Sequence, residues 1–319
     1  FPIKTKWFGD DLHIVEIGSA YADVLGSRVI EVNGVPIGDV MEKINTLIPH
    51  NNQYRLKSYN AMYLVKPSVA KHFGLSDGKT LSFTLEKENG ERDQILIPAE
   101  KYDENRFSRL PADTDYPLYQ KRKDLFWYEY FPGNDTVYFR LTAYADKKSN
   151  VQKRFHDSGN SEVVLPDLDD FLIQLGAFME ENPVEKLILD LRDNNGGSYD
   201  VADRLFDFIE KNEKINVRGK LFLIVNNGCF SMPVYDSVRY KEGTNALIYG
   251  EPTGEMPFNG GGANIMILPY TRNRVLYTAK TFQPIDERDA FTPDVLVYTT
   301  FEEYKNGIDA PLEKIMTGE

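Results

Sequence analysis

The chain has 319 residues, of which 41% are hydrophobic and 27% charged, as in a globular protein with a sizeable core. Its formal net charge of −12 argues against a nucleic-acid partner, which would need a basic surface. No run of about 18 apolar residues occurs, so we predict no membrane span. The single cysteine, Cys229, excludes an internal disulfide. The four histidines lack metal-ligand spacing, so we predict neither a metal site nor a cofactor.

The first hundred residues show the alternation of β structure. Residues 12–17 and 25–34 read as strands, Asn33-Gly34 predicts a turn, and an amphipathic helix begins at Asp39. Residues 80–87 and 94–97 predict a hairpin. This order resembles that of a PDZ domain, which binds extended peptides by strand addition. A small β-rich domain without a ligand is the alternative.

A polar, proline-containing segment at 101–125 separates this region from one with a different pattern. Buried strands predicted at 136–141, 187–189, 221–225 and 246–249 alternate with helices at 167–181, at 198–209 and after Ser231. Such alternation predicts an α/β fold with a mostly parallel sheet. The predicted organisation is a PDZ-like domain with an N-terminal strand at 1–100, a linker at 101–125 and an α/β core domain at 126–319.

Two unusual loops follow strands of the predicted sheet, at 190–197 and 226–233. Ligands of open α/β sheets bind at the carboxyl ends of the strands, and successive strands are often neighbours, so we expect these loops to meet. In the first loop, Gly196 and Gly197 allow close approach to a ligand, and their N–H groups are candidates for half of an oxyanion hole. A plain β-to-α turn is the alternative.

The second loop places Ser231 between a strand and a helix, with Pro233 in the first helical turn. The positive end of a helix favours an oxyanion, and the N–H of Met232 is placed to donate to it. From these residues alone, Ser231 is either a nucleophile or a simple N-cap.

Four segments resemble motifs of the tail-specific, or carboxyl-terminal processing, serine peptidases. Residues 187–197 are similar to the family's D-L-R-x-N-x-G-G signature, and 223–231 to the strand that leads to its nucleophile. Residues 249–254 resemble its G-E-x-T-G turn, and 292–297 its closing P-D-x-x-V strand. The resemblance implies a PDZ domain joined to a crotonase-like α/β core, and cleavage of extended polypeptides. It also implies that Ser231 is the nucleophile, with Met232 and either Gly196 or Gly197 forming the oxyanion hole.

The Ser-Lys dyad branch of that family carries a lysine just past the G-E-x-T turn. Glu255 and Met256 occupy that place here, so the resemblance does not extend to a dyad. Lys241 and Lys280 are expected to be solvated surface residues. Glu255 could act as a base if burial raised its pKa, but burial is not expected, because a proline and three glycines follow it in a loop.

A sister branch, which includes the tricorn core, has a Ser-His-Glu arrangement and is the closer resemblance. Glu287, shortly before Pro293, matches its carboxylate, although an exposed glutamate in an acidic run is an equal alternative. The histidine of that branch would precede Phe1. The chain's own histidines are His13, His50, His72 and His156, and none of them fits that position.

The function that this resemblance implies is a serine endopeptidase acting on extended or unfolded polypeptides by acyl transfer. The alternatives are a catalytically impaired peptide- or lipid-binding module on the same scaffold and a non-catalytic subunit. Polypeptides are the expected partners. The chain begins at Phe1 without an initiator methionine or a signal-like stretch, so we expect a processed product whose targeting segment is not part of this sequence. The expected location is extracytoplasmic, whether secreted, periplasmic or surface-anchored.

Overall fold

The computed structural model describes residues 1–100, 106–111, 117–149, 164–259, 263–278, 283–284 and 289–318. The chain divides into two compact units, Phe1–Lys123 with Val297–Glu319, and Asp124–Leu296. The first boundary falls inside the predicted linker. The second differs from the sequence-based division, because residues 297–319 group with the first unit. No described helix is both long and apolar enough to cross a membrane.

The first unit is built on an antiparallel sheet. Its strands, in spatial order, are β1 (Ile3–Phe8), β2 (Asp11–Gly18), β3 (Arg28–Val32), β5 (Thr80–Glu86) and β6 (Arg92–Pro98), with β4 (Val35–Pro36) beside β3 and β7 (Phe107–Arg109) beside β2. Along β5, Leu81, Phe83 and Leu85 are buried and the residues between them are partly exposed. This alternation puts one face of the sheet on the core. The predicted hairpin is confirmed.

Helices cover the first unit's sheet. They are α1 (Ile37–Asn45), α2 (Gln53–Leu64), α3 (Pro67–His72) and α4 (Leu118–Lys121), and a 3-10 helix spans Ser19–Val24. Helix α1 was predicted from Asp39, and it buries Val40, Met41 and Ile44. Helix α2 was not predicted. Asn52 caps it by accepting the Arg55 N–H at 2.9 Å.

The second unit has a six-stranded sheet. Its spatial order is β8 (Phe126–Phe131), β9 (Thr136–Leu141), β10 (Lys186–Asp190), β11 (Leu221–Val225), β12 (Leu247–Gly250) and β17 (Val295–Leu296). All neighbours are parallel except the antiparallel pair β8 and β9. All five residues of β11 are buried, as expected for a strand covered on both faces. The predicted mostly parallel sheet is confirmed.

Three helices connect these parallel strands. They are α5 (Leu168–Glu181), α6 (Tyr199–Glu210) and α7 (Met232–Gly243). Asp167 caps α5 by accepting the Asp169 N–H at 2.9 Å. Two further strand pairs lie between β12 and β17. They are β13 (Phe258–Asn259) with β16 (Gln283–Pro284), and β14 (Ala263–Ile267) with β15 (Arg274–Thr278). The three helices match the positions predicted from sequence.

The C-terminal segment completes the core of the first unit with helices α8 (Phe301–Lys305) and α9 (Ala310–Thr317). The Phe301 ring stacks on His13 with centroids 4.0 Å apart and meets Phe8 at 5.4 Å. Tyr304 is 7% exposed and packs with Phe8 and Leu110. These aromatic contacts explain why the segment groups with the first unit.

Candidate active site

Three loops converge at the carboxyl ends of β10, β11 and β12, at residues 191–198, 226–231 and 251–257. A Cβ placed on Gly196 would lie 2.8 Å from the Cβ of Ser231 and 3.1 Å from the Phe230 carbonyl oxygen. Only glycine permits this approach, and its φ is +93°. The expectation that the first two loops meet is confirmed.

A buried ionic network anchors the first loop. Asp190 accepts hydrogen bonds from Arg192 Nε at 2.9 Å and from the Tyr138 hydroxyl at 2.5 Å. Arg140, from β9, donates to the Arg192 carbonyl at 2.6 Å. Burial alone would raise the pKa of Asp190, but the guanidinium groups of Arg192 and Arg140 outweigh it and hold the pKa below its ordinary value. This carboxylate is therefore ionised and structural.

Two asparagines tie the first two loops together. The side chain of Asn226 accepts the Asp193 N–H at 2.9 Å and donates to the Asp193 carboxylate at 2.8 Å. Asn194 is fully buried, and its backbone carbonyl accepts the Phe230 N–H at 3.0 Å. Sequence reasoning gave neither asparagine a role, although Asn194 matches the asparagine of the D-L-R-x-N-x-G-G signature. Their signal was present as polar residues beside glycines in strand-end loops, where side-chain amides satisfy backbone groups.

Ser231 occupies the N-cap position of α7 with φ +66° and ψ −116°. Its side chain makes no capping hydrogen bond, and within the described residues its hydroxyl has no hydrogen-bond partner. Its carbonyl accepts the N–H groups of Val234 at 3.0 Å and Tyr235 at 3.2 Å. The interpretation of Ser231 as a side-chain cap is therefore not supported.

Backbone N–H groups surround this serine. A Cβ on Gly196 would lie 3.0 Å from the Met232 nitrogen, so the first loop lies against the start of α7. The N–H of Gly196 donates to the Asn194 side chain at 2.8 Å. The N–H groups of Gly197 and Met232 have no acceptor among the described residues. Of the three candidate amides, that of Gly196 is therefore engaged, and those of Gly197 and Met232 have no acceptor within the described ranges.

Glu255 is buried against the serine, at 7% exposure, and its Oε2 accepts the Ser231 N–H at 2.5 Å. The sequence-based expectation of an exposed loop was wrong. The reason is a pair of backbone anchors. The Thr253 N–H donates to the Phe291 carbonyl at 3.1 Å, and the Thr253 hydroxyl donates to the Glu255 carbonyl at 3.1 Å. These contacts hold residues 253–255 inside the unit, although a proline follows at 257.

Two other candidate groups have structural contacts. Lys241 forms an ion pair with Asp294 at 2.9 Å, and its side chain is 38% exposed, which agrees with the surface position expected for it. Asp294 also accepts the Ile248 N–H at 3.0 Å. Cys229 is fully buried, and burial raises the pKa of its thiol to about 12. It is therefore inert as a nucleophile.

Some expected residues lie elsewhere. The described histidines belong to the first unit, and each has a local partner: His13 Nδ1 lies 2.9 Å from the Gly26 carbonyl, His50 Nδ1 lies 2.7 Å from the Ile48 carbonyl, and His72 meets Phe73 edge-on. Three further candidates lie outside the described residues, namely Glu287, Lys280 and His156. Across the described ranges, no cluster of His, Cys, Asp and Glu is arranged to hold a metal ion.

Comparisons with known proteins find similarity at the level of structure. No protein-family model matches the sequence, and no curated protein sequence matches it significantly. The structure of mature CPAF aligns with a TM-score of 0.62 and 13% identity, covering 99% of this chain and 80% of that one. The structure of mature CPAF complexed with lactacystin aligns with a TM-score of 0.62 and 13% identity, covering 100% of this chain and 82% of that one.

A putative S41 protease from Bacteroides fragilis aligns with a TM-score of 0.46 and 13% identity, covering 100% of this chain and 82% of that one. At that TM-score the similarity does not establish a shared fold. The two CPAF alignments do, and at 13% identity they establish the fold alone. The chain therefore shares the mixed α/β fold of CPAF, with a parallel sheet and helices.

Proposed function

We propose that this chain is a serine peptidase that hydrolyses peptide bonds of extended or unfolded polypeptides, with Ser231 as the nucleophile. The proposal rests on the local environment of Ser231, namely its hydroxyl, its backbone conformation and the amides beside it. Its hydroxyl is uncommitted among the described residues, its backbone is held at positive φ, and two unpaired amides lie in the loops beside it. A serine that served only the fold would use its hydroxyl as a cap.

In the proposed mechanism, the Ser231 hydroxyl attacks the carbonyl carbon of the scissile peptide bond, and an acyl-enzyme forms as the amine departs with a proton. Water then attacks the acyl-enzyme, which releases the carboxylic acid and restores the Ser231 hydroxyl. The N–H groups of Met232 and Gly197 donate to the oxyanion of the tetrahedral intermediate. One such donor is worth about 10²–10³ in kcat. The N-terminus of α7 adds a positive field at the same point. Gly196 supports the site through its bond to Asn194.

The proton acceptor for Ser231 stays a prediction. Resemblance to the tricorn-core-like branch implies a histidine base that Glu287 orients, and Glu287 lies outside the described residues. Lys241 is engaged with Asp294 instead. With a histidine base, the rate of hydrolysis rises with pH through the range in which histidine titrates.

The chain shares the fold of mature CPAF, a protein that also forms a complex with lactacystin. We propose that the second unit is a crotonase-like peptidase core and that the first is a PDZ-like unit. The outermost strands of the first unit's main sheet are β1 and β6. An open strand edge in such a unit binds an extended peptide by adding it as a further strand.

Hydrolysis of casein or a fluorogenic peptide tests the proposal. We expect Ser231→Ala to abolish turnover. Ser237→Ala is the matched control, because Ser237 lies on α7 and its buried hydroxyl only donates to the Pro233 carbonyl at 2.6 Å. Turnover that persists in Ser231→Ala at the wild-type rate would exclude Ser231 as the nucleophile.

A polypeptide- or lipid-binding module is the second candidate function. The observation that favours it is that no described group accepts a hydrogen bond from the Ser231 hydroxyl, so the described residues show no general base. Such a module binds unfolded polypeptide with equal affinity in the wild type and in Ser231→Ala, and cleaves it in neither. Binding measured beside the turnover assay separates the two functions.

A further inference from the structure

The backbone of Ser231 needs an external restraint. Its φ of +66° and ψ of −116° lie in a region that residues with a Cβ rarely occupy. Such a conformation persists only where the surrounding structure holds it, and it is found disproportionately at functional sites. Among the described residues of the second unit, Asp135, Asp193 and Arg272 are also non-glycine residues with positive φ, at +49° to +57°.

The restraint acts on both sides of the residue. The Ser231 carbonyl accepts two N–H groups from the first turn of α7, those of Val234 and Tyr235. The Ser231 N–H donates to Glu255 Oε2 at 2.5 Å. A hydrogen bond from an amide to a carboxylate is shorter and about twice as strong as a neutral one. The two peptide groups that flank the Ser231 Cα are therefore both held in place.

Glu255 is itself fixed. It is 7% exposed, and its own carbonyl accepts the Thr253 hydroxyl at 3.1 Å. The preceding residue, Gly254, donates its N–H to the Cys229 carbonyl at 3.1 Å. A Cβ on Gly254 would overlap the Asn227 carbonyl oxygen, so the loop after β12 packs directly on the loop that carries the serine. These contacts fix the backbone of Glu255, which in turn positions its carboxylate beside the Ser231 N–H.

This contact has two consequences for the chemistry. It engages the Ser231 N–H, so that amide does not donate to an oxyanion while Glu255 is in place. It also stabilises a backbone in which the hydroxyl does not cap α7. Capping is disfavoured further because Pro233, at the second helical position, has no N–H to donate.

We propose that Glu255 is a positioning residue, whose carboxylate holds the strained backbone of Ser231 and so keeps the hydroxyl free and aligned for attack. The inference rests on the proposed peptidase function. Glu255 acts through the Ser231 amide and not as the proton acceptor, because its bond is to the N–H and the Ser231 hydroxyl is unbonded within the described residues.

The experiment compares Glu255→Ala and Glu255→Gln in the full chain, with Glu242→Ala as control. Glu242 is an exposed glutamate at the far end of α7, so its removal deletes the same charge away from the site. We expect Glu255→Ala to lower kcat about 100-fold with KM within about twofold, since a misplaced group costs this much. Glu255→Gln keeps an oxygen acceptor, so we expect a loss of less than about tenfold.

Two kinetic outcomes overturn the proposal. Wild-type kcat in Glu255→Ala shows that the contact does not align Ser231. A Glu255→Gln variant as inactive as Glu255→Ala shows that the carboxylate transfers a proton, since glutamine retains the acceptor and cannot take a proton.

An NMR readout separates this inference from the proposed function. The short bond to a carboxylate is expected to place the Ser231 amide proton far downfield in the wild type and to shift it upfield in Glu255→Ala. A resonance that does not move overturns the positioning role. A wild type that lacks Ser231-dependent turnover but shows the shift refutes the peptidase function and retains the contact.

Discussion

Asp236 lies five residues after Ser231 on α7 and has no part in the proposed chemistry. It is fully buried, as are its neighbours Tyr144 and Tyr240. Neither carboxylate oxygen has a hydrogen-bond partner among the described residues, and Arg239 approaches only to 3.8 Å. Burial raises the pKa of Asp236 to about 7, and Arg239 partly opposes this shift while the charge of Asp203 reinforces it.

This raised pKa predicts that stability falls as pH rises. The ordinary pKa of an aspartate is 3.8, so between pH 3.8 and about 7 the Asp236 carboxyl is protonated in the native state and ionised in the unfolded state. Stability therefore declines across that window by up to about 4 kcal/mol and stays low above it. We expect Asp236→Asn to raise the urea midpoint at pH 8.5 and to change it little at pH 4.

The control for this measurement is Asp203→Asn, because Asp203 is 65% exposed and pairs with the same arginine, Arg239. An Asp236→Asn variant with the same gain at both pH values would show that Asp236 does not titrate in this window.

Only glycine fits the backbone conformation and the space at position 197. Its φ is +147°, and a Cβ there would overlap the Tyr144 carbonyl oxygen. We expect Gly197→Ala to destabilise the second unit by at least about 3 kcal/mol. Gly219→Ala is the control, since Gly219 has φ +82° with nothing within 4 Å of its Cβ position, and we expect a cost of about 1–2 kcal/mol. Equal losses on urea unfolding would contradict the close approach.

At this scale the sequence predicted the residues that local rules mark. Strand-end loops, helix starts and glycine drew attention to Ser231 and the glycine pair, but only the family resemblance favoured a nucleophile and an oxyanion hole over an N-cap and a plain turn. The burial of Glu255 was not predicted, because it depends on Thr253 meeting Phe291, a contact distant in sequence. The burial of Asp236 was also not predicted, because an aspartate in a helix ordinarily faces water.

Among the elements, the loop after β10 depends most on a buried network. Asp190, Arg140 and Arg192 are each under 5% exposed. We expect Arg140→Met to destabilise the unit by about 3–5 kcal/mol, because it removes one of the two buried guanidinium partners of Asp190 and the hydrogen bond to the Arg192 carbonyl. Lys220→Met is the control, since it breaks an exposed ion pair with Glu185, and we expect a cost below about 1 kcal/mol. Similar losses on urea unfolding would show that the network is not the anchor.

Elements with a strong hydrophobic period were predicted, and those without it were missed. Helix α1 and the strands of the second unit follow their periods, whereas α2 buries only Asn60, Ala61 and Leu64. Its stability comes from the Asn52 cap and from packing on α1 and β1. Such tertiary support leaves no periodic signal in the sequence.

For the whole molecule, the main difference from prediction is the C-terminal segment. Sequence reasoning assigned residues 297–319 to the α/β domain because they follow its last strand. The contacts of Phe301 and Tyr304 with Phe8 group them with the first unit instead. Aromatic packing between chain ends has no local signature, so the sequence did not predict it.

This division predicts two separable unfolding signals. The chain has two tryptophans, Trp7 in the first unit and Trp127 in the second, so single-tryptophan variants report on each. We expect Tyr304→Ala to lower the urea midpoint of unfolding that Trp7 fluorescence reports, because it opens a cavity in the first unit alone. The midpoint that Trp127 fluorescence reports should stay unchanged. The control is Tyr298→Ala, at a tyrosine 55% exposed. Equal shifts at both tryptophans would contradict the division.

The nucleophilic role of Ser231 is tested most directly by a fluorophosphonate probe on the whole protein. The probe reacts covalently with an activated serine hydroxyl, and peptide mapping locates the adduct. We predict one adduct, at Ser231, that is absent in Ser231→Ala and retained in Ser237→Ala. No adduct at Ser231, or equal labelling after Ser231→Ala, would contradict the peptidase function.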